Sequence, residues 1–186
     1  FNHTQQNPIF DAPIDTRAFT QIYSSPTTQF GKLFLEGCSP TNLGPPFSIQ
    51  FPGGLVTRNG IVYTWNQSTP YQFWSIDTVT GLHILVFNMA SNHPNFTGMC
   101  WDGNTMYGLS TNILQTTVYS INMTTGACSS FGSSMECAGG IALLGRVGSQ
   151  YSLFVLDIVN DNLYKINKTT GVFTLVGPLG QNINFG

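Results

Sequence analysis

Three nine-residue stretches set the hydrophobic and polar pattern of the chain: FWSIDTVTG at 73–81, VYSINMTTG at 118–126 and LYKINKTTG at 163–171. They recur every 45 residues. Each alternates an aromatic with an aliphatic side chain (Trp74 and Ile76, Tyr119 and Ile121, Tyr164 and Ile166), then breaks into Asx-x-x-Thr-Gly before a second run such as VFTLVG at 172–177. Period-two alternation puts the aromatic and the aliphatic on one face of a strand, and Gly81, Gly126 and Gly171 can adopt the positive φ that closes a tight turn. Each stretch is thus a predicted β-hairpin, with the three isoleucines as equivalent buried positions and Trp74, Tyr119 and Tyr164 as a second equivalent set.

The segments before each hairpin are equally regular. GGLVTRNGIVYTW at 53–65, TGMCWDGNTMYGL at 97–109 and GGIALLGRVGSQYSLFVL at 139–156 each read as glycine, short apolar strand, turn and second strand. The predicted unit is therefore four short strands, in repeats of about 53–97, 98–139 and 140–186. Residues 1–52 differ, holding seven of the ten prolines (Pro8, Pro13, Pro26, Pro40, Pro45, Pro46 and Pro52), which argues for extended segments and loops and against helix. IYSSPTTQFG at 22–31, with Tyr23, Thr27 and Thr28, reads as a decayed copy of the hairpin. NINFG at 182–186 stands where NFTG stands at 95–98, so the sequence is expected to stop at a unit boundary; Phe1 is expected to be a processed or truncated start.

Four strands per unit at a 40 to 50 residue period is the arithmetic of β-propeller blades. LYKINKTTGVFTLVGPLG at 163–180 is similar to the LYxIDxxTGxxTxVGxxG repeats of secreted and surface β-propellers, and FWSIDTVTG and VYSINMTTG resemble weaker versions. The resemblance covers residues 53–186 and implies an all-β array of stacked four-stranded antiparallel blades, with function in the loops of its two faces. That family includes binding, adhesive and enzymatic members, so the resemblance carries no single function across. Three clear blades fall short of the four to eight that propeller rings typically contain. Either residues 1–52 supply a divergent fourth blade of a small closed ring, or the array stays open and a neighbouring chain completes it. In the second case residues 1–29 would act as a strand-exchange arm on an exposed sheet edge.

Composition adds a compartment. Only 14 of 186 residues are charged, six basic and eight acidic, which suggests neither a nucleic-acid footprint nor steering to a membrane surface. Asn, Thr, Ser and Gly carry the polarity, a surface more typical of secreted β-proteins than of chains with about a quarter charged residues. The longest apolar runs, IALL at 141–144 and LFVL at 153–156, are too short to span a bilayer. No basic start followed by an apolar core marks a signal peptide. An even set of cysteines, Cys38, Cys100, Cys128 and Cys137, lacks CxxC and Cys/His zinc spacing. In an oxidising compartment it predicts two disulfides, with Cys128–Cys137 favoured and Cys38–Cys100 by elimination, against the alternative of free buried thiols. Asn2, Asn66, Asn95, Asn122 and Asn167 head N-x-Ser/Thr sequons and are candidate N-glycan acceptors. Asn122 and Asn167 share one turn position, where the competing role is to cap the turn.

Catalytic chemistry is not written in motifs. GxSxG, HExxH, P-loop and GxGxxG elements are all missing. His3, His83 and His93 have no Ser or Cys at catalytic spacing, and His83 stands where the other repeats have Cys128 and Phe173, so it reads as a packed strand residue. DIVNDN, with Asp157, Asn160, Asp161 and Asn162, offers hard oxygens for Ca²⁺ but lacks the EF-hand spacing, and it reads better as a polar turn. Trp65, Trp74 and Trp101 with Tyr63, Tyr71 and Tyr107 would stack on sugars if exposed, while their strand positions favour core packing. No cofactor, metal or catalytic residue is assigned. The function expected is a non-catalytic, secreted, N-glycosylated structural subunit of a coat, fibre or appendage, assembling with copies of itself. The alternative is a lectin-like module binding carbohydrate or protein.

Overall fold

The computed structural model describes residues 17–24, 27–34, 39–49, 52–67, 69–89, 94–112, 114–135, 140–147 and 149–180. These form strands and turns with no helix among them. The first sheet has three antiparallel strands in sequence order, β1 (Arg17–Ser24), β2 (Thr27–Phe34) and β3 (Ser39–Phe47). Three four-stranded antiparallel sheets follow, each a meander whose strands lie side by side in chain order. The second is β4 (Pro52–Arg58), β5 (Ile61–Asn66), β6 (Gln72–Ile76) and β7 (His83–Asn88); the third is β8 (Phe96–Trp101), β9 (Met106–Thr111), β10 (Thr116–Ile121) and β11 (Cys128–Met135). The fourth is β12 (Gly140–Val147), β13 (Gln150–Asp157), β14 (Asn162–Ile166) and β15 (Phe173–Pro178).

The repeated hairpins are closed by the same atoms in each copy. Asp77, Asn122 and Asn167 each accept two backbone N–H bonds on their Oδ1, from residues two and three further on, at 2.8–3.1 Å. The glycine N–H then donates back to the Asx carbonyl at 2.8, 2.8 and 2.7 Å. Gly81, Gly126 and Gly171 sit at φ 72°, 73° and 71°, where a side chain would be strained. A bulge on the outer strand follows in every sheet, between Phe73 and Trp74 in the second, Thr116 and Val118 in the third, and Leu163 and Tyr164 in the fourth.

Strand alternation gives each sheet two apolar faces, and a cross-strand pair marks each one. On the face turned to the following sheet the pairs are Gln21 with Phe30, Trp65 with Phe73, Leu109 with Val118 and Leu156 with Leu163. On the face turned to the preceding sheet they are Ala18 with Leu33, Val62 with Ile76, Met106 with Ile121 and Leu153 with Ile166. Each joint sets one kind on the other. Phe30 packs with Val62 and Ile76; Trp65 and Phe73 pack with Met106 and Ile121; Leu109 and Val118 pack with Leu153 and Ile166. Ile76, Ile121 and Ile166 are 2 %, 4 % and 2 % exposed, as the repeat predicts, whereas Trp74, Tyr119 and Tyr164 are only half-buried.

Each joint also carries a polar tie. Gln21 Nε2 donates to Thr64 Oγ1 at 2.8 Å, Trp65 Nε1 to the Phe96 carbonyl at 3.1 Å, and Thr97 Oγ1 to the Gly140 carbonyl at 2.6 Å. Backbone meets backbone at the rim. Gly44 on β3 touches Gly81, and Gly132 on β11 touches Gly171; a Cβ at Gly44 would lie 2.9 Å from the Gly81 Cα, and one at Gly132 would lie 2.6 Å from the Gly171 Cα. Between the second and third sheets Gly126 abuts the Phe87 ring instead, with 2.7 Å to a Cβ built there. The turn of each repeat is therefore wedged against the bulged outer strand of the sheet before it.

Two expectations about the N-terminal segment change. Residues 22–24 and 27–31 belong to the paired strands β1 and β2 and not to the outer hairpin, because Gly44 on β3 occupies the place of Gly132 on β11. Strand β1 and the start of β2 are paired within the chain, so residues 17–24 and 27–29 do not leave the body as an arm; residues 1–16 and 25–26 lie outside the described residues. The sheets pack in chain order, β1 on β4, β4 on β8 and β8 on β12. Among the described residues these are the principal packings of one sheet on another.

Replacing Ile121 by Ala should cost about 2–5 kcal/mol in urea unfolding, as for other buried aliphatics. Gly132→Ala, which forces a Cβ into Gly171 at positive φ, should destabilise by more than about 1 kcal/mol. Gly177→Ala should not, since Gly177 lies outside the left-handed region and nothing stands within 4 Å of a Cβ built there.

Candidate binding surface

In an antiparallel meander the first and third turns share one end. Here that end gathers a strip of side chains from three sheets. Arg58, closing β4, lies over the Trp101 ring with 4.6 Å from its guanidinium carbon to the ring centroid. Asp102, next to Trp101, caps its own turn through the Asn104 and Thr105 amides and accepts from Lys168 Nζ of the fourth sheet at 2.7 Å. Tyr151 reaches Gly103 from the same sheet and carries Arg146 over its ring at 5.5 Å. The Asp102 carboxylate is 7 % exposed. Burial pushes its pKa up, but the Lys168 ammonium and the two backbone amides outweigh that and hold it below the ordinary carboxylate value. Beside the strip a shallow depression of about 330 Å³ is lined by Gly60, Ile61, Asp77, Thr78, Val79 and Ile84. Backbone bonds from Thr80 and Val79 lower the Asp77 pKa.

None of these contacts is spelled by a motif. Lys168 occupies the variable position of the turn, where the other copies have Thr78 and Met123. Departure from the repeat is the one sequence signal that marks it.

The residues singled out from sequence fall in several places. Trp65, Tyr63 and Tyr107 are buried, and Trp74, Tyr71 and Trp101 half-buried, so the aromatics serve mainly the joints. His83 stacks on Phe47 of the first sheet, centroids 4.3 Å apart and planes parallel within 1°, and Phe47 also meets Trp74 edge-on at 4.7 Å. Burial drives the His83 pKa down, partly offset by a hydrogen bond with the Gly81 backbone, and its Nε2 has no hydrogen-bond partner. His3 and His93 lie outside the described residues. Asp157 Oδ1 accepts the Val159 and Asn160 amides and Oδ2 accepts Asn160 Nδ2, so DIVNDN is a capped turn. Among the described residues, no group of three His, Cys, Asp or Glu side chains could hold a metal.

Cysteine pairing differs from expectation. Cys100 and Cys128 are free thiols, so neither Cys38–Cys100 nor Cys128–Cys137 is formed; Cys38 and Cys137 lie outside the described residues. The physical reason is packing. Cys100 belongs to the apolar joint between the third and fourth sheets, where burial, with the Asp102 charge, pushes its thiol up to about 12. Cys128 is half-buried against the preceding joint, and burial raises its pKa as well.

Among the sequons, Asn122 and Asn167 are exposed at the turn end and Asn95 is exposed at the opposite end. Asn66 is 6 % exposed and its Nδ2 donates to the Pro70 carbonyl at 3.0 Å, so its amide nitrogen is already engaged. Asn2 lies outside the described residues.

No protein-family model matches this sequence, and no curated protein matches it. Solved structures do match its fold. The chain aligns with a crystal structure of a nidogen/laminin complex at a TM-score of 0.51 and 12 % identity, covering 89 % of this chain and 77 % of that one. A Lactobacillus plantarum protein matches at 0.54 and 17 %, covering 86 % and 51 %; a candidate 6-phosphogluconolactonase from Bacteroides fragilis matches at 0.51 and 14 %, covering 88 % and 54 %. This chain thus spans about half the length of the two bacterial proteins. At such identities the likeness shows the fold alone, and that fold is the β-propeller.

No helix among the described residues is long and apolar enough to cross a membrane. The perturbed His83 predicts a pH effect with a defined sign. Its folded pKa lies below the ordinary 6.5, so the unfolded chain takes up a proton first as the pH falls. The stability it contributes is complete above about 6.5 and is lost below it. Thermal unfolding between about pH 7.5 and 5.5 should show a decline that His83→Phe, copying Phe173, flattens relative to the wild type.

Proposed function

We propose that this chain is a non-catalytic extracellular structural subunit that assembles with copies of itself and carries N-glycans at Asn95, Asn122 and Asn167. The observation that carries this reading is the state of two outer strands. On β7, Ile84, Leu85 and Val86 are exposed in succession, and on β15 so are Leu175 and Val176. Both are sheet edges, and an edge that is apolar on both faces is a surface proteins normally cover. The Ser-rich outer strand β11, CSSFGSSM, lacks this character. Low charge and turn-borne sequons support the extracellular placement.

A second reading, a lectin-like or protein-binding module, is favoured by the Arg58, Trp101 and Tyr151 strip, where half-exposed aromatics sit beside cations. The nidogen/laminin structure is itself a protein complex, which agrees with either reading.

Material from the native source should sediment as assemblies well above the 20.3 kDa polypeptide mass and lose mass on N-glycosidase treatment. A monomer of unchanged mass that binds a defined sugar on a glycan array would replace the structural reading with the lectin-like one.

A further inference from the structure

The three internal joints share one design, and the fourth sheet presents the first half of a fourth joint. Its outward pair, Leu156 with Leu163, occupies the positions of Trp65 with Phe73 and Leu109 with Val118, which are covered by the next sheet. At the rim, Gly177 on β15 pairs with Leu163 as Phe87 on β7 pairs with Phe73, in the bulged stretch of the outer strand that also holds Gly44 on β3 and Gly132 on β11. Phe87 is pressed against Gly126 of the following repeat, as Gly44 and Gly132 are against Gly81 and Gly171; at Gly177 a Cβ would have nothing within 4 Å. The bulge that receives such a turn is present too, between Leu163 and Tyr164. Leu175 and Val176 beside it are 55 % exposed.

The other half of the same joint lies at the opposite end of the array. Gln21 faces the second sheet through Thr64, so by alternation Ala18, Thr20 and Ile22 on β1 face away from it. So does Leu33, paired with Ala18. Ala18 and Leu33 hold the positions of Val62 and Ile76, and Thr20 holds that of Thr64, the acceptor in the first joint. All are partly exposed.

We propose that the outward face of the fourth sheet, around the partly exposed Leu163 and Gly177, docks the first sheet of a second copy of this chain, repeating the geometry of the internal joints. The inference rests on the self-assembly reading above and names its surface. A second copy is the occupant because every joint is head-to-tail. The two faces are complementary halves, and each copy carries both, so the tail of one meets the head of the next. Two copies closing on each other would stack eight sheets, within the range of known propeller rings.

Three variants test this by sedimentation equilibrium across the micromolar range. Gly177→Trp fills the slot on the tail, Thr20→Arg puts a charge on the head, and Leu114→Trp alters an exposed turn residue outside both. Circular dichroism and unfolding curves should show all three folded. The proposal expects Gly177→Trp and Thr20→Arg each to weaken association about tenfold or more, with Leu114→Trp unchanged. An equimolar mixture of the two should form a 1:1 dimer, since one intact tail and one intact head remain. Association of Gly177→Trp at wild-type strength would overturn this surface while leaving self-assembly intact. A wild type that stays monomeric throughout would overturn both.

Discussion

The structure depends on one contact made repeatedly: the closing turn of each hairpin set against the bulged outer strand of the sheet before it. At Gly44 with Gly81 and at Gly132 with Gly171, main chain meets main chain with no room for a Cβ on either side. That contact fixes the rim. Once it is set, the apolar pairs behind it meet in a single register, and a polar tie such as Gln21 to Thr64 or Thr97 to Gly140 locks each joint at depth. The carboxamide or carboxylate that caps the turn is thus indirectly a packing element, because it holds the glycine in the one conformation the neighbour accepts.

The fold was legible where chemistry is local and repeated. Asx-x-x-Thr-Gly specifies its own turn through three short hydrogen bonds, so three copies of it announced three outer hairpins, and the isoleucine immediately before each Asx was readable as core. The first sheet was not legible in this way. The sequence between β2 and β3 reads LEGC, without the turn signature, and β3 carries Pro40, Pro45 and Pro46, so the eye is drawn to the wrong hairpin. Side-chain fates set by partners far along the chain were also hidden. An exposed sequon at Asn122 and an engaged one at Asn66 look alike as text, and nothing near Cys100 says that it belongs to an apolar joint. The Asp102 to Lys168 pair joins residues 66 apart, one of them at the position the repeat leaves free to vary.

That division between constant and variable positions organises the surface as well. Residues that repeat build joints; those that depart from the repeat (Arg58, Asp102, Lys168, Tyr151) collect at the turn end and give the array its individual character. His83 is an intermediate case, a titratable ring placed where the other repeats use a thiol and a phenyl group. It gives the first joint a titratable ring stacked on Phe47.

Because, among the described residues, the principal contacts of each sheet are with its immediate neighbours, the joint is the natural cooperative unit, as in a short one-dimensional array. Contacts seldom span more than one repeat, so loop closure adds little entropy and ordering can begin at any sheet and spread in either direction. During synthesis the first sheet has a finished surface before the second emerges, and it can act as the template on which the next one condenses.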